Sequence, residues 1–155
     1  MFDFPQTKLE ELVHQTHKLV EEAIERRDGP FAALLVNSQG QIVLTATNTT
    51  RSTQNVTAHA EINLIEEACQ KFQTLSLGDY GVITNAAPCS MCMTAMIKAK
   101  ITEYYYSSPM EEMADPALTP EEVAAKSKLN IRIGSGLLKL ESQTQIKRGR
   151  DAMDM

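Results

Sequence analysis

Short apolar runs rich in branched residues alternate with stretches of helical periodicity along most of this chain, and that alternation constrains its fold more than any other feature. "FAALLV" (31–36) and "QIVLTAT" (41–47) flank "NSQG", the pattern of a hairpin. "YGVIT" (80–84), "ITEYYYS" (101–107) and "LNIRIGSG" (129–136) read as three further strands, with Tyr104 to Tyr106 half-buried. A first helix over 7–27 carries Leu9, Leu12, Val13, Leu19, Val20, Ala23 and Ile24 at helical spacing, with Thr7 and Glu10 as a capping box. Asp28-Gly29-Pro30 breaks it, and 48–57 is a polar loop. "AHAEINLIEEACQKF" (58–72) is a second helix with Ile62, Ile65, Ala68, Cys69 and Phe72 on its buried face. Pro88 opens a third helix, Thr119, Pro120 and Glu122 cap a fourth, and a weakly patterned fifth covers 137–151. Strands alternating with helices predict an α/β domain of three layers, α/β/α, around a mixed five-stranded sheet.

A chain of 155 residues is the size of one domain with one core. Hydrophobic residues at 43% and charged ones at 23% describe a globular protein rather than a disordered one. No apolar run approaches the ~20 residues that span a bilayer, so no membrane association is expected. "MFDFPQTKLEE" lacks the basic and apolar regions of a secretory signal. Three cysteines do not make a disulfide framework, and a reducing cytoplasm suits them better. The net charge of −5 runs against the basic excess of proteins that grip a phosphate backbone.

Two of those cysteines stand three apart in "PCSMC" (88–92), which admits a metal site, a redox pair or a packing element. At i, i+3 on a helix their sulfurs share one face, and the helix N-terminus favours the thiolates that a metal requires. "TAHAE" (57–61) opens the preceding helix and offers His59 as a third ligand. Three protein ligands leave one tetrahedral position open, the mark of a catalytic rather than a structural zinc. Two thiolates and a neutral imidazole make Zn²⁺ formally neutral, so a base beside the water is useful. Glu61, two residues after His59, supplies one. A fourth protein ligand is hard to find: His14 and His17 lie on the first helix as surface residues, and Cys69 sits on an apolar face as core.

His59-Ala60-Glu61 with Pro88-Cys89-Ser90-Met91-Cys92 is the H-x-E…P-C-x-x-C signature of zinc deaminases. The chain resembles the cytidine and deoxycytidylate deaminase superfamily, most narrowly the branch of bacterial guanine deaminases, yeast-type cytosine deaminase and tRNA adenosine deaminases. The stretches that carry the resemblance are "GPFAALLV", Asn48, "TAHAE", and "PCSMC" followed by "AMIKAKI". It implies zinc on His59, Cys89 and Cys92, and Glu61 as proton shuttle. It further implies Asn48 bonding the base, Ala60 offering backbone contacts, Phe31 lining the pocket, and a homodimer. Ala87 departs from the glutamate that many relatives carry before Pro-Cys, which bears on tuning rather than on holding the metal. Guanine deaminases often carry an acidic, Gly-Phe-containing lid after the fourth strand. "MEEMADPAL" (110–118) keeps the acids Glu111, Glu112 and Asp115 but not the Gly-Phe, and its place as a loop suits a lid with Glu112 expected at the substrate.

The resulting expectation is a zinc-dependent hydrolytic deaminase of a small nucleobase or related heterocycle, with guanine the favoured substrate, yielding xanthine and ammonia. The alternatives are a tRNA adenosine deaminase, for which Lys147, Arg148 and Arg150 are the local hint, and a cytosine-type deaminase. A retired zinc-binding subunit is the non-enzyme alternative, and the retained Glu61 speaks against it.

Overall fold

The computed structural model describes residues 1–110 and 114–153. Strands β1 (Ala32–Asn37) and β2 (Ile42–Thr47) form the expected hairpin, and β1 also pairs antiparallel with β3 (Tyr80–Ala86). Strands β4 (Glu103–Ser108) and β5 (Arg132–Ser135) continue the sheet in parallel, giving the order β2-β1-β3-β4-β5. The hairpin turns where the Asn37 side-chain oxygen accepts from the backbone N–H of Gln39 and Gln41, both at 3.0 Å. Gly40 closes that turn at φ +81°, a conformation that glycine adopts without Cβ strain.

The strands are apolar on both faces because each face is covered. Ala33, Leu35, Val82 and Tyr104 pack on one side against α3 (Ala60–Phe72) and α4 (Ser90–Lys98). Leu34, Val36, Ile83 and Tyr105 pack on the other against Leu12 and Val13 of α1 (Gln6–Glu25), with α6 (Lys139–Met153) beside it on β4. This is the predicted three-layer α/β/α sandwich. Two short helices complete it: α2 (Thr50–Thr53), and α5 (Pro120–Ala125) with the Thr119/Glu122 capping box in place. No helix among the described residues is long and apolar enough to cross a membrane.

Several local expectations change. Helix α1 begins at Gln6 behind Pro5 (φ −64°), so Thr7 lies inside the first turn and caps nothing. The 48–57 loop contains α2. In α3 the buried residues are Ala60, Glu61, Leu64 and Ala68, whereas Ile62, Ile65, Cys69 and Phe72 are only partly covered. Tyr104, Tyr105 and Tyr106 are buried rather than half-buried, because β4 is an inner strand with α6 on one face, Tyr104 in the core shared with α4, and Tyr106 donating to Glu121 of α5. His17 is no idle surface residue. Its Nε2 lies 2.7 Å from Ser142 Oγ, whose hydroxyl donates to Ser107 Oγ at 2.6 Å, which donates to the Leu137 carbonyl at 2.6 Å.

The strand directions decide where chemistry can sit. The N-terminal end of β1 and the C-terminal ends of β2, β3, β4 and β5 share one sheet edge: Ala32 faces Thr47, Ala33 faces Thr84, Ala86 faces Ser108, and Tyr106 faces Ser135. The segments that leave or enter the sheet there contain Phe31, Asn48, Pro88-Cys89 and Met110.

Candidate metal centre and active site

His59 and Cys89 each stand at a helix N-cap, preceding α3 and α4 with extended backbone (φ, ψ of −68°, 157° and −71°, 169°). Cys89 is thus not inside the helix; Cys92, in its first turn, is. An N-cap residue has its side chain beside the unpaired amides of the first turn, which favours negative charge there. His59 Nδ1 lies 3.6 Å from Cys89 Sγ and 3.5 Å from Cys92 Sγ. The three ligand atoms lie within 4.8 Å of one another, and the cysteines are free thiols. A tetrahedral zinc with ordinary Zn–S and Zn–N lengths keeps sulfur and nitrogen about 3.6 Å apart. The donor set therefore fits zinc in both chemistry and spacing.

The three ligand groups and Glu61 are electrostatically linked, with Cys89 the thiol that ionises first. The hydrogen bond from the Cys92 thiol, and then that with His59, pulls the Cys89 pKa down to about 4. Cys92 is pushed up, first by donating to Cys89 and then by burial. His59 is raised above 6.5, chiefly by its hydrogen bond with Cys89. Burial raises Glu61 above the usual carboxylate range. Glu61 is 7% exposed, in the first turn of α3.

A cavity of about 130 Å³ opens beside these ligands, lined by Phe31, Asn48, His59, Ala60, Glu61 and Cys89 of the expected set. Cys92 lies fully buried behind it. Asp115 is exposed and absent from the lining, and Glu111 and Glu112 lie outside the described residues. Met110 and Ala114, which flank them, do line the cavity, as do Asn85, Ala86 and Ala87.

Three polar residues that sequence reasoning passed over hold this wall together. Asn85 is buried between segments: its Oδ1 accepts from Ala32 N–H at 2.9 Å and its Nδ2 donates to the Pro30 carbonyl at 3.0 Å. The signal was a lone amide inside the apolar run "VITNAA". Asn63 Nδ2 donates to the Thr47 carbonyl and the Thr49 hydroxyl, at 2.9 and 3.0 Å, tying the Asn48 segment to α3. Asp28, fully buried, accepts from Ser52 N–H and Ser52 Oγ, each at 2.9 Å, and so caps α2 from outside the helix. Asn48 itself is 7% exposed, and its Oδ1 accepts from Thr50 N–H and Thr50 Oγ, each at 2.9 Å. Because Thr50 N–H can only donate, the amide orientation is set, and Nδ2 is the group left to Asn48 for a ligand.

Known proteins resemble this chain in sequence and in fold. A tRNA-specific adenosine deaminase from Agrobacterium fabrum is 36% identical over 84 residues, 54% of this chain and 55% of its own. A guanine deaminase from Bacillus subtilis is 31% identical over 87 residues, 56% of this chain and 55% of its own. The chain thus spans about half the length of these two curated relatives. The structure of a guanine deaminase from Nitrosomonas europaea superposes with a TM-score of 0.79 over 92% of this chain and 84% of that one. At 21% identity that likeness is one of fold. The family model for the cytidine and deoxycytidylate deaminase zinc-binding region matches residues 6–108, which contain every candidate ligand and Glu61, and the chain belongs to that family.

Proposed function

We infer that this chain is a zinc-dependent hydrolytic deaminase of a purine-type base, with guanine the favoured substrate. One observation carries the reading: a buried carboxylate, Glu61, lines a small cavity together with Asn48 and with His59 and Cys89 of the candidate metal triangle, Cys92 standing buried behind them. His59, Cys89 and Cys92 would hold the zinc, which would supply a Lewis acid that lowers the pKa of a water. Glu61 takes the two protons of the attacking water in turn, delivering one to the ring nitrogen beside the reacting carbon and the other to the exocyclic amine as the C–N bond breaks. The ring carbon gains a carbonyl oxygen and ammonia departs. A carboxylate whose proton affinity is raised by burial suits both halves of that transfer.

Recognition falls to Asn48, Ala60 and Phe31. Asn48 Nδ2 donates to a ring acceptor, since its oxygen is committed to Thr50. Ala60 N–H, at the first position of α3, is among the amides that a helix leaves unpaired. Phe31 offers an apolar face to a planar ring. Glu112 is assigned to the donor edge of the base, a role supported by the cavity-lining positions of its neighbours Met110 and Ala114. The size of the cavity suits one free base, and the net charge of −5 favours a small substrate over RNA.

A second reading, deamination of a tRNA adenosine, draws on the 36% identity to the A. fabrum enzyme and on Arg150, which stands over the Phe31 ring. Ammonia release from free bases, nucleosides, pterins and a tRNA anticodon hairpin separates the two. Turnover of guanine above all others is expected; turnover of the hairpin alone overturns it in favour of the RNA substrate.

A further inference from the structure

The last turn of α6 meets the Pro30-Phe31 segment, the end of α1 and α2. Gly149 is the point of closest approach: a Cβ there would stand 2.5 Å from Pro30 Cβ and 3.0 Å from two side-chain carbons of Ile24. The glycine is needed for space, since its backbone is ordinary helix. Arg150, the next residue, sets its guanidinium carbon 5.8 Å from the centroid of the Phe31 ring. Arg27 donates to the Ala152 carbonyl at 3.3 Å and Arg51 to the Met153 carbonyl at 3.2 Å, so cations from the end of α1 and from α2 cover the helix C-terminus. The segment on which the helix settles, Pro30-Phe31, is itself pinned from the other side by Asn85.

We propose that Arg150 is a positioning residue for substrate binding, holding the Phe31 ring as a fixed wall of the cavity from outside it. Phe31 lines the cavity, whereas Arg150 does not. The guanidinium meets the negative face of the ring, and an Arg at this distance is within the range of a cation–π contact. A ring held before the base arrives loses less freedom when the base binds, so the contribution appears in substrate affinity rather than in the chemical step. This explains why a helix with so weak an apolar pattern is placed with a backbone-close contact: its last turn acts through arginine and carbonyl contacts rather than through a hydrophobic stripe.

The kinetic arm of the test rests on the deaminase reading above; the spectroscopic arm does not. The zinc-loaded protein is labelled with 4-fluorophenylalanine, which reports on four phenylalanines, and the Phe31 resonance is assigned by its loss in Phe31→Leu. Arg150→Ala is expected to shift and broaden that resonance, leave zinc content and kcat unchanged, and raise KM about two- to fivefold. Arg150→Lys, which keeps a cation, is expected to recover most of the Phe31 signal and of KM. Arg148→Ala, on the same helix but paired with Glu21, is the control and should leave Phe31 untouched. A Phe31 resonance indifferent to Arg150→Ala, or moved equally by Arg148→Ala, overturns the proposal. Should neither a base nor the hairpin be turned over, the deaminase reading fails, and the Phe31 resonance alone still decides this one.

Discussion

His59 Nδ1 lies 3.6 Å from Cys89 Sγ, although the two residues are 30 positions apart and cap different helices. That separation is the one a shared tetrahedral zinc imposes. Purified protein is therefore expected to carry about one zinc per chain by elemental analysis. Of its three cysteines, only Cys69 should react with a thiol reagent until a chelator removes the metal. Cys92→Ala should lose the zinc. A Cys89–Cys92 disulfide in freshly prepared protein would sink the metal assignment.

In the proposed mechanism Glu61 acts as base and not as ligand, so Glu61→Gln separates the two functions. The variant should keep its zinc and its melting temperature while kcat falls by roughly 10²–10⁴. Full activity in Glu61→Gln would place the proton transfer elsewhere.

Asn48 accepts within its own turn and is proposed to donate to a bound base, and two substitutions divide these tasks. Asn48→Asp retains the acceptor for Thr50 N–H and Thr50 Oγ but has no donor; it should raise KM strongly with fold and zinc intact. Asn48→Ala should also lose the turn, with a further stability cost of about 1 kcal/mol. Equal KM for Asn48→Asp and the parent protein would remove Asn48 from substrate recognition.

His17 ties stability to pH. Ser142 donates onward to Ser107, so His17 Nε2 must donate to Ser142, and the neutral ring satisfies that chain. Burial, and then His14, lower the His17 pKa below 6.5, against Glu141 and Glu21, which raise it. The unfolded chain therefore takes up a proton at higher pH than the folded one. The contribution of His17 is complete above its unfolded pKa and lost as pH falls through 6.5 towards the folded value. Urea titrations at a series of pH values should show a shallower loss in His17→Gln than in the parent over that window. Parallel curves would remove His17 from the pH response.

Much of the fold is legible in the residues because alternating strands and helices with apolar faces have few solutions. A chain whose strands are apolar on both sides, as "AALLV" and "VIT" are, must cover both with helices. The candidate ligands were equally visible, since each lies within a turn of a helix start and H-x-E and C-x-x-C are local spacings. Asn85, Asn63 and Asp28 were not, because each acts on a segment distant in sequence, and a single amide or carboxylate carries no periodicity. His17 was misjudged for the same reason, its partner Ser142 lying 125 residues away.

By itself, then, the sequence determined the layers, the alternation of strands with the main helices and the candidate metal-ligating and proton-carrying side chains, because all of these follow from patterns within one or two turns of chain. Only the tertiary structure decided that Phe31, Asn48, His59 and Cys89 meet at one sheet edge, that Asn48 has a donor left to offer, and that the end of α6 rests on the cavity wall. Those facts depend on strand direction and on close approach between distant segments, such as Gly149 against Pro30, where geometry is set by packing and leaves no local trace.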